Sequence, residues 1–539
     1  MNLKKKIVLS VSFIVLVAVC VIALIRDEQS GMKYRCMNTA KYEEILNKLP
    51  QMQELSFSLC FREQKLPVNE SDHTFFLPVD LSSGKWEMGE FTATDDVDIF
   101  FLEDFKKEEK KKLVAENVSI PMIAVSGEGY LLCYLKLTGM PVLSFQGTEW
   151  YAQDGNPIFD MVLYENCGMD DWITHVYTTA TIRGNTSKEY EKKSLRLKLK
   201  KEKKDGSFGS VNKNLLGIRS DDDWILNSLY ADNSRIRDKL CMELWQECGA
   251  WQNPYQANFG VQGEYTEVVI NNGYAGLYLL THPIDAKQLR MQRTSRQIAA
   301  GEDIIERIYK KKYTAAWQTS DFTGDFPDPN LKDFRGGFFL KGDVVTGELS
   351  EWQPLYEMAA CIEADDQTFT ELIGQIADTK NIADNWLFFQ AIGGFDNENK
   401  NVYYIARNQN NRYYGYFIPW DMNLSFGSVY TDNVYYSEES MAAVKQLVMF
   451  EPGTRMIDLD VMQSRKYVKN TWEKWRNGAF ATDKLISRME ELQEQIIASG
   501  ALAREMQRWP DGNANEDISF MKEYTKQRME FVDGYLSGI

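Results

Sequence analysis

Two short runs carry residue types that bind cations and move protons. They are "FDNENKN", with Asp396 and Asn401, and "IPWDMNLSFG", with Asp421 and Asn423. A carboxylate can accept a proton from a hydroxyl. Carboxylate and amide oxygens together suit a hard divalent cation. Asp421 follows Asp396 by twenty-five positions, and between them "NVYYIAR" and "RYYGYFIPW" read as two strands joined by the turn residues "NQNN". A hairpin of that length returns the chain to its start, so Asp421 is expected beside Asp396 and Asn401. Turn capping by Asx side chains accounts for the same residues with no chemistry at all.

A second constellation lies in "TIRGNTSKEYEKKSLRLKLKK". Leu195, Leu197 and Leu199 alternate with Ser194, Arg196 and Lys198, which marks a strand and sets Lys193 on the leucine face and Lys192 on the polar one. An ammonium on an apolar face needs an anionic partner. Just before it, Gly184 and Asn185, with Thr186 and Ser187, make a turn whose backbone N–H groups can face a phosphate. Turn, strand and inward lysine match the hairpin with which kinases hold nucleotide phosphates, and Asn401 five residues after Asp396 matches the spacing of their catalytic loop. A surface hairpin whose strand merely begins at Lys193 is the plainer alternative. The next segment, "LYADNSRIRDKLCMELWQECG", reads as a helix capped at Asp232 or Asn233, ending at Gly249, with Ile236, Leu240 and Leu244 as its core stripe. Its Glu243 and Glu247 are the candidate partners of the lysine.

These residues must be positioned by a scaffold that is strand-rich first and helical last. Strand patterns such as "DMVLYE" and "YTEVVINNGYAGLYLLTHPID" run from Met140 onward, and "GGFFLKGD" follows. A helical stretch from about Glu371 to Phe389 leads into Asp396. Beyond Arg455, "VKNTWEKWRN", "DKLISRMEELQEQIIASGALAREMQRW" and "DISFMKEYTKQRMEFVDGYL" are amphipathic at helical spacing. That order gives an α+β domain over 140–539. Residues 27–139 read as a small β-rich, membrane-proximal module, and the charge run Glu103–Leu113 within it as a solvated helix or loop. Lys4, Lys5 and Lys6 precede an uncharged run, Ile7–Ile25, that is long enough to span a bilayer. Residues 1–26 therefore read as a signal-anchor transmembrane helix with the rest of the chain on the extracytoplasmic side. A cleaved signal peptide, giving a secreted protein, is the alternative.

A chain of 539 residues, 44% hydrophobic with a net charge of -17, is a folded acidic protein and not a general nucleic-acid binder, which needs a dominant basic surface. Three histidines with no pair at ligand spacing argue against zinc sites and histidine-based hydrolysis. The cysteines after residue 26 show no CxxC spacing, and Cys241 and Cys248 read as core packing on one helix face.

Taken in order, "RGNTSKEYEKKSLRLKL", "LYADNSRIRDKL", "GYAGLYLLTHPID", "FDNENKN", "IPWDMNLSFG" and "FMKEYTKQRMEFV" resemble the CotH (spore coat protein H) family of atypical protein kinases, from about Met140 to the C-terminus. The resemblance implies an atypical protein-kinase-like fold with a helical C-terminal part. It also implies use of ATP and Mg²⁺ or Mn²⁺ to phosphorylate hydroxyls on an exported or spore-coat protein. Carried over by position, it implies Lys193 or Lys192 on the ATP phosphates under a loop with Gly184 and Asn185, and Arg237 as a further member of that set. Asp396 would be the catalytic aspartate, with Asp421 and Asn401 as metal ligands. The family usually reads "PWDLD", whereas here Asn423 stands where a second aspartate is common and offers a ligand oxygen without charge. That departure leaves a second expectation beside the kinase: a non-catalytic surface or spore-coat binding module on the same fold. Nucleotidyl transfer from a flipped ATP is a third.

Overall fold

Runs such as Thr74–Pro78, buried at every position, and Tyr130–Thr138, buried at most, are stable only when both of their faces are covered. The computed structural model describes residues 31–539 except 55–56, 95, 148–156, 325–330 and 431–436. It is a mixed α+β architecture, strand-rich at first and helical beyond Glu451. The signal-anchor segment expected over 1–26 lies outside the described residues. Among the described residues no helix is long and apolar enough to cross a membrane.

The chain divides into two compact units, one of Met1–Tyr177, Thr266–Leu277 and Ile496–Arg508, the other of Thr178–Tyr265, Tyr278–Gln495 and Trp509–Ile539. In the first unit, a four-stranded sheet orders Met32–Lys33, Gly89–Ala93, Leu59–Phe61 and Gln64–Lys65. A five-stranded sheet orders Val68–Asn69, Thr74–Pro78, Tyr130–Thr138, Ile120–Val125 and Asp98–Phe101. Phe61, Leu77, Phe101, Ile120 and Leu135 belong to one shared core. The charge run Glu103–Leu113 is not wholly solvated, as its pattern implies. Lys110 is buried, with its ammonium 2.7 Å from Glu87 and donating to the Lys85 carbonyl at 2.6 Å. The anion that makes this burial tolerable comes from another part of the chain, so the run alone does not show it.

In the second unit, β1 (Ile173–Arg183, from Thr178) pairs with β2 (Ser194–Glu202), and β2 pairs antiparallel with β3 (Asp223–Asn227) in the register Leu195↔Leu226 and Leu197↔Trp224. Leu195, Leu197 and Leu199 all face the core as their alternation requires. Helix α1 (Arg237–Cys248) follows, with Ile236, Leu240 and Leu244 fully buried and Gly249 at its C-cap. The Asp232 carboxylate accepts from the first helical N–H, that of Arg237, at 2.8 Å. A second sheet orders Phe334–Arg335, β5 (Phe338–Lys341), β4 (Arg307–Lys311), β6 (Val402–Gln409) and β7 (Arg412–Pro419), antiparallel throughout.

Helix α2 (Thr379–Ile392) enters this region and stops at Gly393, which takes φ 61°. Phe426 donates its backbone N–H to the Ile392 carbonyl at 2.7 Å, so the two ends of the stretch Gly393–Gly427 meet. Tyr524 of α3 (Ser519–Gly538) lies against both ends. A Cβ on Gly393 would sit 2.5 Å from its hydroxyl, and one on Gly427 2.7 Å from its ring. Both positions have left-handed φ as well, so glycine is required twice over.

Helix α2 also buries Asp384, which accepts a hydrogen bond from the Tyr467 hydroxyl at 3.0 Å. Burial pushes this carboxyl up to about 7. Its folded value lies above its unfolded one, so the stability it permits is complete below about pH 4 and is lost as pH rises through about 7. Asp384→Asn is therefore expected to raise stability at pH 8 by about 2–4 kcal/mol and to change it little at pH 4. Melting curves of both forms at the two pH values check this; equal gains at both would show that ionisation is not the cause.

Candidate functional site

The β6–β7 hairpin is in register from Gln409↔Arg412 down to Val402↔Pro419, which places Asn401 opposite Trp420. Trp420 N–H donates to the Asn401 carbonyl at 3.0 Å. The buried Asn397 amide then donates to the carbonyls of both Asn401 (3.1 Å) and Trp420 (3.0 Å), clamping the two runs together. Asn401 and Asp421 leave this clamp with φ 53° and 58°, the left-handed conformation that Asn and Asp tolerate best among larger residues.

On the first run, both carboxylate oxygens of Asp396 are held. Lys400 Nζ lies 2.5 Å from one, and the Asn401 amide donates to the other at 2.6 Å. Burial pushes the Asp396 carboxyl up to about 6, and the nearby Asp421 charge adds to this, while Lys400 and Asn401 oppose it. On the second run, Asp421 meets a carboxyl that the motifs did not point to. Asp238, in the first turn of α1, is buried and accepts from Met422 N–H at 3.1 Å and from Asn227 at 2.6 Å. Burial first, and then the Asp421 charge, push Asp238 up to about 7. Two like-charged carboxyls this close are relieved by a cation between them or beside them.

The donor chemistry fits a hard divalent cation: carboxylate oxygens of Asp421 and Asp238 with amide oxygens of Asn423 and Asn401 nearby. Among the described residues no group of three or more His, Cys, Asp or Glu could hold a metal by itself, so such an ion would depend on the amides.

These residues line a cleft of about 1280 Å³ within the second unit. Of the residues expected from sequence, Gly184, Asn185, Asp396, Asn401, Asp421 and Asn423 line it. Gly184 turns the chain there with φ 119°, and a Cβ would overlap the Ser187 hydroxyl. Lys192, Lys193 and Arg237 are not among its lining residues. Strand β2 begins only at Ser194, so its alternation does not extend back to the lysines. Lys192 is the buried one, with its ammonium 4.5 Å from the centre of the Tyr278 ring, and Lys193 donates to the Lys188 carbonyl at 2.7 Å. Their expected carboxylate partners are engaged elsewhere: Glu243 with Lys239, and Glu247 with Arg488. Arg237 is wholly buried. It bonds Asp232 (2.7 Å), Asn233 (2.6 Å), Glu439 (2.7 Å) and the Ser425 carbonyl (3.0 Å), and so ties the start of α1 to the run after Asp421.

Motif reading missed Asp238, Lys400 and the cations Arg183, Lys310, Lys312 and Lys341, all of which line the cleft. For Lys310 a signal existed, since "RIYKK" is a strand, and carrying its period two one residue further puts Lys312 on the same face.

Residues 180–532 match the family model described as CotH kinase protein, and the chain belongs to that family. It is thus a kinase-like protein by descent, and every cleft residue named above falls inside the matched range. No curated protein matches the chain.

Proposed function

We propose that this protein is an ATP- and metal-dependent kinase of CotH type, anchored by residues 1–26 and acting on the extracytoplasmic side on hydroxyls of an exported or spore-coat protein. In this reading residues 27–139 are the membrane-proximal module and 140–539 carry the kinase activity. The observation that supports it best is the clamp that sets Asp396 beside Asp421 on the wall of a cleft rich in unpaired cations.

The Asp396 carboxylate, oriented by Lys400 and Asn401, accepts the proton of the substrate hydroxyl. Asp421 and Asn423, with Asn401 and Asp238, would hold Mg²⁺ or Mn²⁺. Bound there, the metal supplies neutralisation of phosphate charge. The Gly184–Asn185 turn closes one edge of the cleft over the nucleotide. Positioning by these fixed groups supplies most of the acceleration, as expected for phosphoryl transfer.

The test is incubation of the full chain with ATP labelled in turn at the γ and α positions, with Mg²⁺ or Mn²⁺. The expected result is γ-label on protein, reduced about 10²–10³-fold by Asp421→Ala, the size of effect seen on removing one electrostatic stabiliser. Label from the α position would instead show nucleotidyl transfer. A chain with no nucleotide-dependent thermal shift in either metal would be a binding module, as Asn423 in place of a second aspartate permits.

A further inference from the structure

The family resemblance puts the phosphate-holding lysine on the strand that opens at Ser194, yet neither Lys192 nor Lys193 lines the cleft. The second sheet presents a different set. In β4 and the residue after it, Lys310 and Lys312 line the cleft, while Lys311 turns to the other face and donates to the Ala315 carbonyl at 2.7 Å. Lys310 is only 7% exposed, and its ammonium lies 4.6 Å from the centre of the Trp420 ring. The Arg183 guanidinium sits over the same ring at 6.0 Å. Lys341, at the end of β5, lines the same cleft.

Charge accounting separates these groups from ordinary surface cations. Arg196, also in the cleft, is neutralised by Asp223 at 2.9 Å. Among the described residues, Arg183, Lys310, Lys312 and Lys341 form no ion pair with a carboxylate, and neither do Lys188, Arg293 and Arg296 of the same cleft. A chain with a net charge of -17 thus keeps several cations without a direct carboxylate contact around one cavity, with only Asp421 near Lys310 and Asp333 near Lys312 and Lys341 to offset them at longer range. Burial and mutual repulsion push Lys341 down to about 8 and lower Lys310 and Lys312 as well. Concentrating buried positive charge in this way is costly unless an anion arrives to offset it. Trp420 directly precedes Asp421, so an anion held over its ring would lie against the proposed metal wall.

We propose that Lys310 and Arg183, both against the Trp420 ring, form the cationic clamp for the nucleotide phosphates in place of Lys192 and Lys193. Lys312 and Lys341 extend the clamp along the cleft. The assignment rests on the kinase reading above and adds the identity of the phosphate-contacting residues.

Calorimetric titration of the full chain with ATP, AMP and inorganic tripolyphosphate tests it. Lys310→Met and Arg183→Met are each expected to weaken ATP and tripolyphosphate about 10–100-fold, as loss of one charged hydrogen bond does. AMP should be weakened less, and Lys193→Met should change no affinity more than about threefold. Lys310→Arg, which keeps the charge, should recover most of the affinity. A general loss of packing would not restore binding with charge or penalise the triphosphate over the monophosphate. Should Lys310→Met fail to fold, the half-buried Arg183 decides the matter alone. Wild-type ATP affinity in the Lys310 and Arg183 variants, with a large loss in Lys193→Met, would overturn the clamp and leave the kinase reading standing. A wild-type chain that binds neither ATP nor tripolyphosphate would end both.

Discussion

Asp396→Asn is expected to lower phosphotransfer about 10³-fold while changing the KM for ATP by less than about threefold. The asymmetry follows from where this carboxylate stands. Both of its oxygens are held, one by Lys400 at 2.5 Å and one by Asn401 at 2.6 Å, so it is oriented as a proton acceptor and not directed at the cations that await the phosphates. An amide of the same shape keeps the contact to Lys400 but cannot take a proton. Nucleotide binding, which depends on the proposed Lys310–Arg183 clamp and on Asp421, is left largely intact. Single-turnover rates alongside nucleotide titrations separate the two effects. A rate unchanged by this substitution would remove Asp396 from the chemistry.

Asn397→Leu is expected to cost stability and abolish activity together. One buried amide satisfies the carbonyls of Asn401 and Trp420, and leucine would leave both without that donor. The Asn401 carbonyl keeps the Trp420 N–H, so one buried acceptor, the Trp420 carbonyl, is left unpaired, and a loss of about 1–3 kcal/mol is expected, seen as a lowered melting temperature. The damage is local as well as global, because those two carbonyls hold the first turn of Asn401 and of Asp421. At temperatures where Asn397→Leu is still folded, nucleotide-dependent stabilisation should already be weakened. A variant that melts early yet binds and transfers normally would show that the clamp is not what aligns the two runs.

The strand–turn–strand pattern between Asp396 and Asp421 was readable because aromatic strands flank an Asn-rich turn, and its closure follows from the chain's own length. Helix α1 was readable for a similar reason: Ile236, Leu240 and Leu244 keep their period up to Gly249. What failed was extrapolation beyond an element. Period two describes a strand only where there is one, and β2 starts one residue after Lys193. The face of Lys310 within β4 followed from the same rule, but which face of a strand meets a cavity is set by sheet neighbours distant in the chain. Asp238 looked like any acid in the first turn of a helix, where it suits the helix dipole. Only its burial beneath Met422, contributed from far along the sequence, marks it out. Lys110 in its charge run was hidden for the same reason.

The contact of Tyr524 with Gly393 and Gly427 bears on timing. The stretch that carries Asp396 and Asp421 is braced at both ends by a side chain that is translated about a hundred residues later. A growing chain passes through a long interval in which both aspartates have emerged and their brace has not. Competence for chemistry therefore arrives with the last helix. A chain that stops before residue 519 carries every acidic residue of the site and is expected to be silent.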